Sequence, residues 1–217
     1  MKKIMFLMLG LFLLVGCTNT NENKNLDNND GFEKSEDLKN PNLEWCQLYN
    51  PNGFDTITCV VSNPNNVDID ITYDLVFYKD GKELSRQEGW SNFQISPKHN
   101  DVIWGNDGLP KAEDVDDIKM ENITVTKAYY KSLDANIKYV ESKDSNAYFS
   151  ITHKEKPVLN NITFFLYNDN NKNGKCDKGE LVVTSTSNTI EKEDTISFET
   201  DVYNYTNYEI YYNAYID

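Results

Sequence analysis

The stretch "DNNKNGKCDKGE", Asp169 to Glu180, places oxygen-bearing side chains at spacings that suit a metal ion. Asp169, Asn171, Asn173, Asp177 and Glu180 fall at positions one, three, five, nine and twelve of the twelve-residue calcium-loop pattern. The carbonyl of Lys175 falls at position seven, and Gly174 supplies the sharp turn at position six. Calcium is a hard cation that gathers six to eight oxygen ligands, so carboxylate, amide and carbonyl oxygens converging on one point are the chemistry it needs. Lys172, Lys175 and Lys178 oppose Asp169, Asp177 and Glu180 inside the loop and weaken any site toward the ~10⁻⁴ to 10⁻³ M range of extracellular modules. The same residues also read as the polar tip of a β-hairpin, and the sequence leaves both readings open.

Other chemistry is sparse. The chain has two histidines, His99 in "SPKHND" and His153 in "THKEKP", each read as an exposed structural residue beside a turn. No Gly-x-Ser-x-Gly elbow, phosphate-binding loop or HExxH helix occurs, and no catalytic residue is assigned. Carboxylates are numerous, but nothing in the sequence positions two of them across a substrate, as a glycosidase would need. Among the cysteines, "CQLYNPNGFDTITC" carries an Asn52-Gly53 hairpin signal, and a turn centred there sets Cys46 opposite Cys59. Counted outward, the two occupy a non-hydrogen-bonded pair with Cα atoms about 4.5 Å apart, within disulfide reach. Cys176 is then left alone in the Asp169 to Glu180 loop.

The N-terminus bounds where these residues work. Lys2 and Lys3 precede an apolar run from Ile4 to Val15, the layout of a secretory signal and too short to span a bilayer, which takes about 20 residues. The "LVGC" that follows resembles the lipobox of bacterial lipoproteins. That resemblance implies cleavage after Gly16 and lipidation of Cys17 with palmitate-type acyl chains, each buried methylene contributing about 0.8 kcal/mol of membrane affinity. The expected location is the extracytoplasmic face of the cell membrane, reached through a lipid anchor. Removing Met1 to Gly16 from 217 residues leaves 201 and takes away two lysines, so the formal charge moves from −14 to −16. A nucleic-acid partner needs clustered Lys and Arg for its phosphates, and is excluded on charge.

Residues 17–42 are dominated by Asn, Asp, Glu and Lys and cannot bury enough apolar surface to offset their conformational entropy, so a disordered tether is expected. From Leu43 onward, runs of Val, Ile, Tyr, Phe and Thr are separated by Asn, Gly, Asp and Pro clusters, which predicts an all-β fold. Only "PKAEDVDDIKM" has room for a helical turn. An internal repeat sets the domain count. "DIDITYDLVFYKDGKEL" aligns with "LNNITFFLYNDNNKNGKCDKGEL", with "FDTITCVVSNPN" and "NAYFSITHKEKP" upstream of each. Downstream, "FQISPKHNDVIWG" aligns with "TIEKEDTISFET", and "ENITVTKAYY" with "NYTNYEIYYNAY". Five positions separate Tyr78 from Glu83 and thirteen separate Tyr167 from Glu180, so the second copy carries eight extra residues at its hairpin. The expected organisation is a signal peptide (1–16), the lipidated linker (17–42) and two tandem β-sandwiches (43–132 and 133–217).

The series "VVSNPN", "DLVFYKDGKEL" and "ISPKHNDVIWG" is similar to the FxLYD-type immunoglobulin-like domains of bacterial surface proteins, which implies a tandem immunoglobulin-like fold and a surface location. It implies no reaction, because such folds host many functions. In the C-terminal "YNYTNYEIYYNAYID", Tyr208, Ile210, Tyr212, Ala214 and Ile216 alternate onto a core face, and Tyr211 and Tyr215 fall on the other. The expected function is a non-catalytic binding or spacer module for a protein or polysaccharide ligand, with calcium as the one cofactor the sequence suggests. The alternative is an accessory subunit of a surface complex, or a hydrolase using surface carboxylates.

Overall fold

The described residues form thirteen strands where the β-branched and aromatic runs predicted them. Asn42–Tyr49 (β1), Thr56–Ser62 (β2), Ile69–Lys79 (β3), Lys82–Ile95 (β4), Asp101–Gly105 (β5) and Asp117–Lys127 (β6) make the first half. Asn136–Lys143 (β7), Asn146–Thr152 (β8), Val158–Tyr167 (β9), Leu181–Ser187 (β10), Ile190–Glu191 (β11), Thr195–Glu199 (β12) and Asn207–Tyr215 (β13) make the second. Among the described residues the one helical element is a single 3-10 turn, Ala112–Asp114, inside the segment where a turn was expected. This computed structural model describes residues 37–51, 53–133, 136–143, 146–152, 158–187, 190–191, 195–199 and 204–215. Cys17, the signal segment, most of the tether, Asn52 and His153 lie outside the described residues.

The two halves share one topology. Sheets β1-β2-β5 and β4-β3-β6 in the first half are matched by β7-β8-β12 and β10-β9-β13 in the second, with β11 extending the line of β10 along β9. Every pairing is antiparallel. In the first half the chain crosses between the two sheets at β2–β3, β4–β5 and β5–β6, and in the second at the matching points, as in immunoglobulin-like sandwiches. In the first half the Asp80-Gly81 turn closes the β3–β4 hairpin on the Lys79–Lys82 pair, both turn residues taking positive φ (49° and 72°) as a two-residue turn demands. In the second half the eight inserted residues stand at that point between β9 and β10.

Each half encloses its own core. Cys46, Ile57, Cys59, Val61 and Ile103 from one sheet meet Ile69, Ile71, Tyr73, Leu75, Phe77 and Ile95 from the other. Ala147 and Phe149 meet Ile162, Phe164, Leu166, Val183 and Ala214 in the second half. Cys46 and Cys59 face each other in the β1–β2 register and are joined as a disulfide. That register is the one expected from a turn centred on residues 52 and 53, although the ladder stops at Tyr49 and Thr56. Pro51, which has no N–H to give, accounts for the early stop.

The alternate residues of β2 and β9 are buried as well, and this is where the fold departs from two beads on a string. Val60, Val102, Trp45, Tyr49 and Trp104 on the outer face of the first sheet pack against Phe165, Tyr167, Leu181 and Tyr211 on the outer face of the β9 sheet. The hydroxyls of Thr58 and Thr184 bond across this seam at 2.9 Å. Four sheets therefore stack in layers, with β1-β2-β5 and β10-β9-β13 covered on both faces, and Asp37–Asp217 forms one compact unit. Strands buried on both faces read as unbroken apolar runs, which is the form of "TITCVVS" and "ITFFLY". The folded region also begins before Leu43: Pro41 is buried, Leu38 packs on the first core, and Lys39 and Asn65 exchange two hydrogen bonds of 2.8 and 2.9 Å.

Candidate functional site

The Asp169–Glu180 loop is tied by its own side chains. Asp169 accepts the N–H groups of Asn173 and Gly174, both at 3.0 Å, Asn171 Oδ1 accepts Asn173 N–H at 3.0 Å, and Asn173 Oδ1 accepts Lys175 N–H at 2.7 Å. Gly174 takes the sharp turn with φ +76°. Glu180, only 7% exposed, closes the loop by accepting N–H groups of Asn170 and Asp177 at 2.9 and 3.1 Å. Asp177 Oδ2 sits between the side-chain amides of Asn171 and Asn173, which donate at 2.6 and 2.7 Å. The predicted ligand residues are thus gathered. As they stand, the two asparagines point amide N–H groups, not oxygens, at Asp177, and a cation would require both amides to turn over. Among the described residues no three carboxylate, imidazole or thiol side chains converge as a metal site.

The loop is not a free tip. Cys176, 3% exposed, plugs into the seam between the halves beside Phe165, Tyr167 and Leu181. Gly179 N–H bonds Gln47 Oε1 on β1 at 2.9 Å, and Gln47 Nε2 reaches the Leu181 carbonyl at 3.4 Å. Burial, with Glu209, Glu180 and Asp177 nearby, pushes the Cys176 thiol well above its usual range, so it packs as an apolar group and is a poor nucleophile. A single cysteine in an otherwise polar insertion was the sequence signal for this anchor.

Where the loop meets the seam, the two halves leave an open cleft of about 520 Å³. The first half contributes Glu44, Trp45, Val60, His99 and Asn100; the second contributes Lys175 to Asp177 from the loop and Glu209 to Tyr212 from β13. Tyr211 packs on Phe165 with ring centroids 4.8 Å apart and donates its hydroxyl to Glu209 at 2.7 Å. Burial raises the Glu209 carboxyl above its usual range, partly countered by the Tyr211 hydroxyl, the Cys176 backbone and Lys175. His99 was expected to be exposed. It lies half-buried with its ring 5.5 Å from that of Tyr212, and its Nε2 is buried without a hydrogen-bond partner.

The three tryptophans are dispersed. Trp104 joins Trp45 in the seam, but Trp90 packs on the first core and lies so close over Gly105 that a Cβ there would clash with its ring. On β13 the expected alternation is visible, with Ile210, Tyr212 and Ala214 toward the second core and Tyr211 on the seam. Tyr208 sits at the rim of that core, 37% exposed, against Phe149 and Phe164.

The architecture defines an all-β protein of immunoglobulin-like sandwiches. No protein-family model matches the chain, and no curated protein matches it. Among solved structures it is similar to red sea bream transglutaminase, with a TM-score of 0.21 and 11% identity. The match covers 83% of this chain and 28% of the transglutaminase. At that TM-score the likeness carries neither fold nor activity to this chain.

Proposed function

We propose that the protein is a lipid-anchored extracytoplasmic module that binds a ligand without transforming it, in the cleft between its two halves. The observation that carries this reading is the cleft, which is built jointly by both halves and by the insertion that distinguishes the second from the first. Its volume falls in the range of about 300 to 1,000 Å³ typical of small-molecule sites. The anchor rests on "LVGC" and Cys17. Sheet-on-sheet packing of the halves favours a binding role over a spacer, since tandem domains that set distance gain by packing end to end.

A carboxylate-dependent hydrolase has one observation in its favour, the raised carboxyl of Glu209. A glycosidase-like mechanism needs a second carboxylate free to act on the substrate. Glu44 is bonded by the Ser62 hydroxyl, and Asp177 is held by two asparagine amides. Both are already engaged, so binding is the better reading.

Two measurements test the parts of this proposal. Cys17→Ala is expected to leave the precursor uncleaved or to release the protein from the detergent-extracted membrane fraction; unchanged processing and retention would refute the anchor. For binding, Asp37–Asp217 used as bait is expected to retain a surface ligand that Tyr211→Ala bait does not, and equal capture by both would place binding elsewhere.

The loop is proposed as a weak calcium site. Millimolar calcium at such a site is a few-fold excess over Kd, which stabilises the native state by about 1 kcal/mol, or roughly 2–4 °C in melting. Asp177→Asn keeps an acceptor for the two amides and removes the central charge, so it is expected to abolish the shift. No calcium-dependent shift in the wild type at several millimolar would reduce the loop to a packed hairpin.

A further inference from the structure

We propose that the cleft between the halves recognises an organic cation, a primary alkylammonium of the kind a lysine side chain or a free diamine presents. The inference rests on the binding reading above and adds the chemistry of the ligand.

Charge points to it first. Glu44, Asp177 and Glu209 line the cleft against one ammonium, that of Lys175, and among the described residues none of the three carboxylates forms a salt bridge. The chain around them carries a formal charge of −14, so the long-range field draws cations and repels anions. Burial already biases Glu209 toward its neutral form. A carboxylate so placed gains from a cation that restores its charge, and Tyr211 Oη at 2.7 Å holds it in position.

The lining then selects among cations. Trp45, Tyr211 and Tyr212 are at the wall, and aromatic faces attract ammonium groups through their quadrupole while covering an alkyl stem. Among the described residues no three carboxylates, imidazoles or thiols converge at the cleft, so an incoming cation meets an aromatic wall with separate carboxylates. His99 adds a directional element. Its buried Nε2 has no partner within the protein, and buried polar atoms are rarely left so. With the proton on Nδ1, which lies 3.4 Å from the Asn100 carbonyl, Nε2 is an acceptor that an ammonium reaches once the ring shifts to expose it.

The test is a titration of ¹⁵N-labelled Asp37–Asp217, which contains all three core clusters and the disulfide. The indole N–H resonance of Trp45 is followed at fixed ionic strength. The probes are N-acetyl-lysine N-methylamide, cadaverine, and the neutral N-acetyl-norleucine N-methylamide. Saturable shifts with both amines, and at least tenfold weaker binding of the norleucine amide, are expected. Tighter binding of the lysine amide than of cadaverine would identify a peptide side chain as the source, and the reverse a free amine.

Glu209→Gln, which preserves the Tyr211 contact, should weaken the amines by about tenfold, the factor that ~1.4 kcal/mol of lost ion pairing gives. Glu44→Gln at the exposed rim is a second variant that does not depend on buried packing. Equal binding of lysine and norleucine amides would overturn the cation while keeping the cleft as a binding site. No saturable shift with any probe would overturn the cation, whereas loss of ligand capture in the Tyr211→Ala comparison would still stand for the binding reading on its own.

Discussion

Phe165→Ala is expected to destabilise the folded chain by about 3–5 kcal/mol, the usual cost of removing a fully buried phenylalanine. Phe165 is 0% exposed on the outward face of β9, its ring 6.0 Å from Trp45 and 4.8 Å from Tyr211. It belongs to neither sandwich core, so on two independently stable beads its truncation would cost little. In the stacked arrangement it fills the seam, and its loss opens the cleft. Phe164, the next residue, points the opposite way into the second core, 5.3 Å from Phe149. Phe164→Ala should cost a similar amount while leaving the seam closed. Urea unfolding of both variants checks the magnitude, and a Phe165→Ala cost below about 1 kcal/mol would mean that the two halves do not pack on each other.

Replacing Cys46 and Cys59 together by alanine is expected to cost about 3 kcal/mol. The bridge spans a sequence separation of 13, and closing a loop of that length restricts the unfolded chain by roughly this amount. The pair change is the informative one because it leaves no lone thiol at a position that is nearly or fully buried, 6% exposed at Cys46 and 0% at Cys59. The prediction is checked by the unfolding midpoint of the double variant and by non-reduced peptide mapping of the parent. An unchanged midpoint, or two free thiols in protein secreted under oxidising conditions, would contradict it.

Much of this fold was legible in the sequence for identifiable reasons. The repeated segments align strand for strand because each copy must alternate its own core face, and the register of Cys46 with Cys59 follows from counting outward from one turn. The stacking of the halves was not legible. "TITCVVS" and "ITFFLY" announce strands buried on both faces, but an apolar residue at Val60 or Phe165 has the same character whichever neighbour covers it. The loop was read from its oxygens, and its position was decided by Cys176, one apolar residue among polar ones. Glu44, His99 and Glu209 stand far apart in the chain and carry no shared motif, so only the docking of the two sheets brings them to one cleft.

The thiol of Cys176 reports on that docking directly. It is the free cysteine of Asp37–Asp217, and it is buried in the seam between the two halves. In native protein its reaction with an aromatic disulfide reagent is expected to be slower than that of an exposed thiol by orders of magnitude and to speed up only through the global unfolding transition. The same reaction should be accelerated more in Phe165→Ala, which also opens the seam around the thiol, than in Phe164→Ala, which acts through global unfolding alone. Reaction of native Cys176 at the rate of a small free thiol would show that the halves do not close over it, and the cleft with its proposed ligand would fall with them.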